Sequence, residues 1–354
     1  MGMGSNDEIW RGSMPLREIV EEDLEAILSA KLPWSKFDGS TVLITGASGF
    51  IGSYIVETLL RLDQEGADID VVGLVRDGNR AKRRFAELKR GPKLVIQDVA
   101  KPLNLEDVDY IIHAASQASP RYYGLDPVGT LAANVIGTYN LLMLTAKRSL
   151  QGFLFISSSE VYGRVNGRVN EADYGYLDPL DARSCYAEGK RMGENICVSW
   201  FHQHGVPTVI ARLFHTYGPG MRADDGRVQA DLVADVVAGR DITLKSDGSA
   251  RRSFCYLADA VSGLFAVLLK GVPGEAYNIG DDRFDLSVRE LAERLAELFP
   301  PRKVVMGRPT GPYIRSPVES ISPDISKARA LGWSPNTSLD AGLRRTVGSY
   351  DELI

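Results

Sequence analysis

Short apolar runs alternate along the chain with longer segments in which apolar residues recur every three or four positions. The runs span four to eight residues and are rich in Val, Ile and Leu, which is typical of strands buried on both faces of a parallel sheet. The predicted strands are 41–44, 69–75, 94–99, 110–116, 153–156 and 206–213, and the predicted helices between them include 53–62, 127–147 and 186–204. This alternation predicts an α/β fold with a doubly wound parallel sheet.

The two ends of the chain depart from this alternation. Residues 16–32 carry an apolar stripe at helical spacing that Pro33 ends, so we predict an N-terminal extension over 1–38 with one helix. After residue 213 the pattern becomes irregular. We therefore expect a main domain over 39–213 plus about 253–283, and a smaller C-terminal lobe made of 214–252 and 284–354.

The turn after the first strand, residues 45–52, contains three glycines spaced G-x-x-G-x-x-G. Glycines let a backbone approach a pyrophosphate, and the following helix supplies amide donors and a favourable dipole. The spacing differs from the usual G-x-G-x-x-G, and a plain glycine-rich turn is the alternative, but the flanking strand and helix favour a Rossmann-type dinucleotide domain. Contacts to the cofactor are expected from Gly46, Ser48, Gly49, Phe50, Ile51 and Gly52.

Three further strand ends bear on the cofactor. An NAD site usually has an acidic residue at the end of the second strand, where this chain has Arg76, which favours a 2'-phosphate and hence NADP. Asp98 follows the third strand, where an adenine amino group is expected, and small residues follow the fourth, where the chain passes under a cofactor. The residues expected there are Asp98, Val99, Ala114, Ala115 and Ser116.

A reaction centre is predicted between the strand 153–156 and the helix 186–204. The strand breaks into three serines and Glu160, and Tyr186 and Lys190 follow at i and i+4 on one helix face. An ammonium beside a phenol lowers the phenol pKa, so that Tyr186 can take a proton from a sugar hydroxyl as hydride leaves the same carbon. A solvated surface pair is the alternative, and the upstream glycine turn and serine cluster favour the reaction centre.

Composition and charge narrow the function classes. The net charge is −5, with 41 basic and 46 acidic residues, which argues against binding to nucleic acid or a membrane surface. The three cysteines provide no disulfide framework. Neither a signal peptide nor an apolar run long enough to cross a membrane is visible. We therefore expect a cytoplasmic protein. His202 and His204 point in different directions on a helix, so no metal site is expected.

Cations between residues 222 and 252 suit an anionic substrate such as a nucleoside diphosphate, with ordinary surface charge as the alternative.

The chain resembles the extended short-chain dehydrogenase/reductase family, in its nucleotide-sugar branch, and within that branch the UDP-glucuronate decarboxylases. The resemblance covers roughly residues 39 to 345. The segments that carry it are 45–52, 113–120, 158–163, 185–191, 225–228 and 252–254.

This resemblance implies roles for individual residues. Ser158, Tyr186 and Lys190 would form the redox triad, with Tyr186 and Lys190 also touching the cofactor. Glu160 would act at the sugar ring, and Arg252 near the departing carboxylate or as a proton source at C5. The residues implied to bind substrate are Pro120, Ser159, Glu160, His215, Arg227, Lys245 and Arg252.

Several positions depart from the decarboxylase pattern, all on the substrate side. Decarboxylases carry Asn at the position of His215, Tyr at that of Lys245, and basic residues where this chain has Ser320-Ile321-Ser322. These departures leave open which nucleotide and which sugar the protein binds, and they bear less on the type of reaction.

The implied reaction is NAD-dependent decarboxylation of UDP-glucuronate through a UDP-4-keto-hexuronate to UDP-4-keto-pentose, UDP-xylose or both. One alternative is a nucleotide-sugar 4-epimerase or 4,6-dehydratase, although dehydratases place Asp-Glu where this chain has Ser159-Glu160. Another is a non-catalytic dinucleotide sensor, against which the intact triad argues. The resemblance also implies a homodimer made by helices 128–147 and 186–204.

Overall fold

A computed structural model describes residues 16–105, 108–144, 149–307 and 318–350. The strands, in chain order, are β1 (Thr41–Thr45), β2 (Asp70–Val75), β3 (Lys93–Ile96), β4 (Tyr110–His113), β5 (Gly152–Ser158), β6 (Gly167–Val169), β7 (Thr208–Leu213), β8 (His215–Tyr217), β9 (Ile242–Leu244), β10 (Arg251–Tyr256), β11 (Ala276–Ile279), β12 (Asp285–Ser287), β13 (Val304–Met306) and β14 (Ser320–Pro323).

Helices connect and cover these strands. In chain order they are α1 (Leu16–Leu28), α2 (Phe50–Leu62), α3 (Gly78–Arg84), α4 (Pro120–Leu125), α5 (Pro127–Asn134), α6 (Ile136–Met143), α7 (Cys185–His204), α8 (Val228–Val237), α9 (Leu257–Lys270), α10 (Val288–Leu298), α11 (Ser326–Ala330) and α12 (Leu339–Gly348). Short 3₁₀ turns lie at Trp34–Phe37, Ser159–Tyr162 and Ala182–Ser184.

The predicted doubly wound sheet is confirmed. Seven parallel strands follow the order β11-β7-β5-β4-β1-β2-β3, with pairs such as Val42 with Val71 and Val42 with Tyr110. The chain leaves β1 toward one edge and returns to β4 on its other side, so the strand order reverses beside β1. Ligands of such sheets bind at the carboxyl ends of the strands around this reversal.

Smaller sheets form beside the main one. They have the orders β12-β10-β14-β6, with β8 on β10, and β13-β9. Strand β8 follows β7 directly, and its pairing with β10 brings His215 opposite Phe254. The carboxyl end of the main sheet therefore faces residues from this second region. The domain boundaries given above stay a prediction.

Several predicted elements differ in extent. Strand β3 ends at Ile96 rather than at residue 99, β4 ends at His113 rather than at residue 116, and α2 begins at Phe50 rather than at residue 53. The N-terminal helix ends at Leu28 rather than Leu32, because the amide of Ala30 bonds the carbonyl of Ile27 at 3.2 Å, only three residues back, and the chain then turns. The helix predicted over 127–147 is interrupted between α5 and α6, and residues 145–148 lie outside the described residues. At this break the Asn134 amide bonds the Thr130 carbonyl and competes with the regular backbone pattern.

The N-terminal extension packs into the main domain through a buried acid. Asp23 of α1 is fully buried and accepts hydrogen bonds from the hydroxyls of Tyr54 at 3.0 Å and Tyr256 at 2.8 Å. Arg345 of α12 pairs with the same carboxylate at 2.6 Å. One side chain thus joins α1 to α2, β10 and α12.

Candidate functional site

The glycine turn is packed so tightly that side chains are excluded. Gly46 has a φ of +65°, and a Cβ there would lie 2.9 Å from the Cα of Ala115. A Cβ on Gly52 would lie 2.3 Å from the carbonyl oxygen of Gly46. The turn therefore sits flush between the ends of β1 and β4, with the first amides of α2 facing outward without helical partners. This cradle fits the pyrophosphate of a dinucleotide.

The other expected cofactor residues lie around this turn. Thr45 accepts the Ala115 amide at 3.0 Å, which holds the strand end after β4 against the glycines. Arg76 is exposed just beyond β2, and Val99 is buried beyond β3. Asp98 accepts the amide of Ala100 at 2.9 Å, which fixes the turn after β3. The contacts of these residues with a cofactor stay a prediction.

The proposed redox residues meet at the carboxyl end of β5. Ser158 is the last residue of that strand, and its hydroxyl accepts the amide of Glu160 at 3.2 Å. Tyr186 is buried at the start of α7, and its ring stacks on that of Tyr123 with centroids 5.0 Å apart and an interplanar angle of 15°. The predicted spacing on one helix face therefore places the phenol beside the serine, with Lys190 one turn further on.

Lys190 was expected to lower the pKa of Tyr186, and this lowering is not found in the chain alone. Burial raises the pKa of Tyr186 to about 12, opposed by its hydrogen bond with Ser158 and the charge of Arg227. Lys190 donates to the carbonyl of Ile156 at 2.6 Å, and burial lowers its pKa to about 7. The expected lowering of the Tyr186 pKa was wrong because it neglected the desolvation of both groups.

A buried ion pair lies behind Lys190. Glu194, one turn further along α7, receives Arg212 at 2.8 Å and the hydroxyl of Ser157 at 2.5 Å. Its charge favours the ammonium form of Lys190 and so opposes the effect of burial on the lysine pKa. Sequence reasoning missed this pair, although Glu194 continues the i, i+4 spacing of Tyr186 and Lys190.

A cavity of about 1420 Å³ joins the reaction centre to the second region. Its volume exceeds that of usual small-ligand pockets, which suits two large ligands. Every residue that the sequence implicated in catalysis or substrate binding lines it. These are Pro120, Ser158, Ser159, Glu160, Tyr186, Lys190, His215, Arg227, Lys245 and Arg252, together with Ile51, Ala114 and Ser116 from the cofactor side.

The cations of the substrate side are held in different ways. Arg227 pairs with Asp225 at 2.9 Å, and Lys245 pairs with Asp231 at 2.6 Å. Arg252 is buried and donates to the carbonyls of Arg251 and Val318, each at 2.7 Å. Its guanidinium is thus oriented at the cavity wall by backbone acceptors.

His215 lies between these cations. Burial, with the charges of Arg252 and Arg227, lowers the pKa of its imidazole to about 3. Its Nδ1 is buried without a hydrogen-bond partner in the described part of the chain. A neutral imidazole is therefore available to a ligand hydroxyl or amide.

Tyr123 and Arg183 are among the cavity residues that were not singled out from the sequence. Tyr123 forms the stacking surface of Tyr186, and Arg183 lies three residues before Tyr186. The helical spacing of Arg183 to Tyr186 was the signal available in the sequence. No group of three or more His, Cys, Asp or Glu side chains in the described ranges could hold a metal ion. Among those same residues, no helix has the length and apolar character needed to cross a membrane.

Comparison with known proteins agrees with this geometry. The model of the NAD dependent epimerase/dehydratase family matches residues 42–280. The chain is 39% identical over 316 residues to UDP-glucuronic acid decarboxylase 6 of Arabidopsis thaliana, covering 87% of this chain and 89% of that one. It is 35% identical over 339 residues to UDP-glucuronic acid decarboxylase 1 of Danio rerio, covering 94% and 78%.

A solved structure is similar over almost the same length. It is UDP-glucuronic acid 4-epimerase from Bacillus cereus in complex with UDP-glucuronic acid and NAD, with a TM-score of 0.74, 27% identity, and coverage of 89% of this chain and 100% of that one. The resemblance to the extended short-chain dehydrogenase/reductase family is confirmed. The chain belongs to the NAD dependent epimerase/dehydratase family.

Proposed function

We propose that this protein is a UDP-glucuronate decarboxylase that uses NAD. The observation that carries the proposal is the meeting of Ser158, Glu160, Tyr186 and Lys190 with Arg252 in one cavity. Relatives named as UDP-glucuronic acid decarboxylases, 35–39% identical over most of the chain, support it. NAD is supported by the family description and by the NAD-bound solved relative, and the glycine cradle fits it. NADP is the less favoured alternative, which rests on Arg76 at the position where a 2'-phosphate would lie.

The first chemical step removes hydrogen from C4 of the sugar. Tyr186, as phenolate, takes the proton of the C4 hydroxyl, while Ser158 donates a hydrogen bond to the same oxygen. NAD, when bound, supplies the acceptor for the C4 hydride and can later return it. Within the chain, burial opposes the phenolate of Tyr186, whereas the hydrogen bond with Ser158 and the charge of Arg227 favour it.

The second step is the loss of carbon dioxide. Once C4 is a ketone, the C6 carboxylate is β to it, so the C5–C6 bond can break with its electrons moving into the C4 oxygen. Ser158 and Tyr186 stabilise this enolate by hydrogen bonding. C5 then takes a proton, for which Arg252 and Glu160 are the proposed donors because both line the cavity. Reduction of C4 yields UDP-xylose, and early release yields the 4-keto pentose.

A 4-epimerase is the second candidate. The specific observation in its favour is the similarity to the epimerase from Bacillus cereus, which was solved with UDP-glucuronic acid. An epimerase would share Ser158, Tyr186 and Lys190 and would turn the 4-keto sugar before its reduction. A 4,6-dehydratase is less well supported, because Ser159 stands where dehydratases place an aspartic acid.

Mass spectrometry of products decides between these reactions. The purified protein is incubated with UDP-glucuronate, with and without added NAD. Loss of the mass of CO₂, or of CO₂ and two hydrogens, supports decarboxylation and shows whether C4 is reduced. Unchanged mass with altered retention indicates epimerisation, and unchanged substrate contradicts both reactions on this sugar nucleotide.

We also propose a homodimer formed through α5, α6 and α7. Apolar side chains on these helices are exposed in the single chain, among them Val128 at 75%, Ile136 at 49% and Met192 at 49%. Such a concentration of exposed apolar residues is typical of an interface between subunits. The three free, buried cysteines are in keeping with a cytoplasmic location, which we also propose.

A further inference from the structure

Arg183 is the cavity cation whose guanidinium has no acidic or carbonyl partner in the described part of the chain. Its Nε is buried and unpaired, although the side chain lines the cavity. A buried guanidinium donor without an acceptor is costly unless a ligand supplies one. The other cavity cations differ in this respect, since they are paired with Asp224, Asp225, Asp231 or Glu290, or bonded to backbone carbonyls.

The position of Arg183 relative to Tyr186 limits which part of a substrate it can reach. Ala182–Ser184 forms the 3₁₀ turn that leads into α7, so Arg183 and Tyr186 are three residues apart on one face. The amide of Arg183 donates to Asp181 at 2.9 Å, which fixes this turn. The charge of Arg183 acts on Tyr123, whose ring stacks on Tyr186. Arg183 and Tyr186 therefore line the same cavity from neighbouring positions at the start of α7, together with Tyr123.

We infer that Arg183 binds the C6 carboxylate of the substrate and gives the site its preference for a uronate over a neutral hexose. The inference rests on the proposed function, which places O4 at Tyr186. The carboxylate carbon is then two bonds from C4, within the volume next to Arg183, whereas the diphosphate on C1 lies across the ring. A planar guanidinium matches a carboxylate with two parallel hydrogen bonds.

Binding measurements test this role without turnover. In the Tyr186→Phe background, which keeps UDP-glucuronate intact, calorimetry of the NAD-loaded protein gives Kd values for UDP-glucuronate, UDP-glucose and UDP. Adding Arg183→Met should weaken UDP-glucuronate about 10- to 100-fold and change UDP-glucose and UDP less than about threefold. Arg183→Lys should recover part of the loss. The matched control is Arg164→Met, which removes an exposed arginine outside the cavity.

Two results would overturn the inference. Equal weakening of all three ligands would place Arg183 at the diphosphate, and unchanged affinities would deny it a binding role. Thermal unfolding and NAD binding of each variant detect misfolding. If Arg183→Met is misfolded, the affinities of Arg183→Lys for the three ligands are compared with those of the parent protein instead. If the unmodified protein releases no CO₂ yet loses its preference for the uronate with Arg183→Met, the proposed reaction fails and the inference stands. If CO₂ is released and the preference survives the substitution, the inference alone fails.

Discussion

The Nζ of Lys190 lies 2.6 Å from the carbonyl oxygen of Ile156 and so fastens α7 to β5. The same nitrogen lies 5.8 Å from the centre of the Tyr186 ring and is buried. One lysine thus connects the strand that ends in Ser158 with the helix that carries the phenol. Its charge state is governed by burial, which lowers its pKa to about 7, against the opposing charge of Glu194.

Lys190→Met should change how stability depends on pH. A lysine pKa that falls from 10.5 to about 7 on folding means that the unfolded chain binds more protons between these values. The stability of the unmodified protein therefore rises from about pH 7 to about pH 10.5, and that contribution is lost as pH falls to 7. Urea unfolding should show an advantage for the Met variant near pH 7 that shrinks toward pH 10. A constant difference across this range would show that Lys190 is not desolvated.

Ser158→Ala should lower kcat by about 10² to 10³, as is usual for loss of one donor to a developing oxyanion. Tyr186→Phe should abolish turnover, since it removes the base. The matched control is Ser157→Ala, because the hydroxyl of Ser157 donates to Glu194. That control should destabilise the fold by about 1.5–3 kcal/mol while kcat falls far less. Near-normal kcat in Tyr186→Phe would refute the mechanism.

Gly46→Ala should abolish NAD binding, because its Cβ would collide with Ala115 in the turn. Gly39→Ala is a matched control, since Gly39 has a φ of +68° and open space around it. Both variants carry the left-handed strain of about 1–2 kcal/mol, but only Gly46→Ala should deform the cradle. Calorimetry with NAD and thermal unfolding separate the two effects. Comparable NAD affinity in both variants would contradict the assignment of this turn.

Asp23→Asn should remove a pH dependence of stability in mildly acid solution. Burial raises the pKa of Asp23 from 3.8 to about 6, opposed by Tyr256, Arg345 and Tyr54. The folded chain therefore holds a proton that the unfolded chain releases, and stability is lost as pH rises from about 4 to 6. Relative to the unmodified protein, the Asn variant should gain stability over that range and stay level above it. Urea unfolding at intervals between pH 4 and 7 measures this difference, and a flat difference would refute it.

Acidic substitutions on α5 and α6 should dissociate the proposed dimer. Val128→Asp with Ile136→Asp places two charges in an apolar face without disturbing the core, because both side chains are exposed in the single chain. Light scattering should then report the mass of one subunit. Val272→Asp, at a position 57% exposed on another part of the surface, should leave the dimer intact. A monomeric unmodified protein would contradict the proposal at once.

Local signals in the sequence were sufficient for most of the main sheet and for part of the site. The apolar runs predicted six of its seven strands, because strands buried on both faces have little freedom in composition, whereas β11 was missed. The glycine spacing predicted the cofactor turn, because only glycine tolerates the contact that Gly46 makes with Ala115. The i, i+4 spacing predicted that Tyr186 and Lys190 share a helix face. Each of these inferences depends on neighbours within a few residues.

The sequence by itself determined the order of strands and helices over residues 41–213, the glycine turn and the shared helix face of Tyr186 and Lys190, since these follow from local spacing and residue type. Only the tertiary structure decided the electrostatics. Arg345 meets Asp23 although they are 322 positions apart in the chain, and Glu194 meets Arg212 behind Lys190. The Arg183 Nε, which has no partner among the described residues, and the lowered pKa of Lys190 likewise depend on which distant groups exclude water. Burial and charge pairing are properties of positions in space, and spacing along the chain does not specify them.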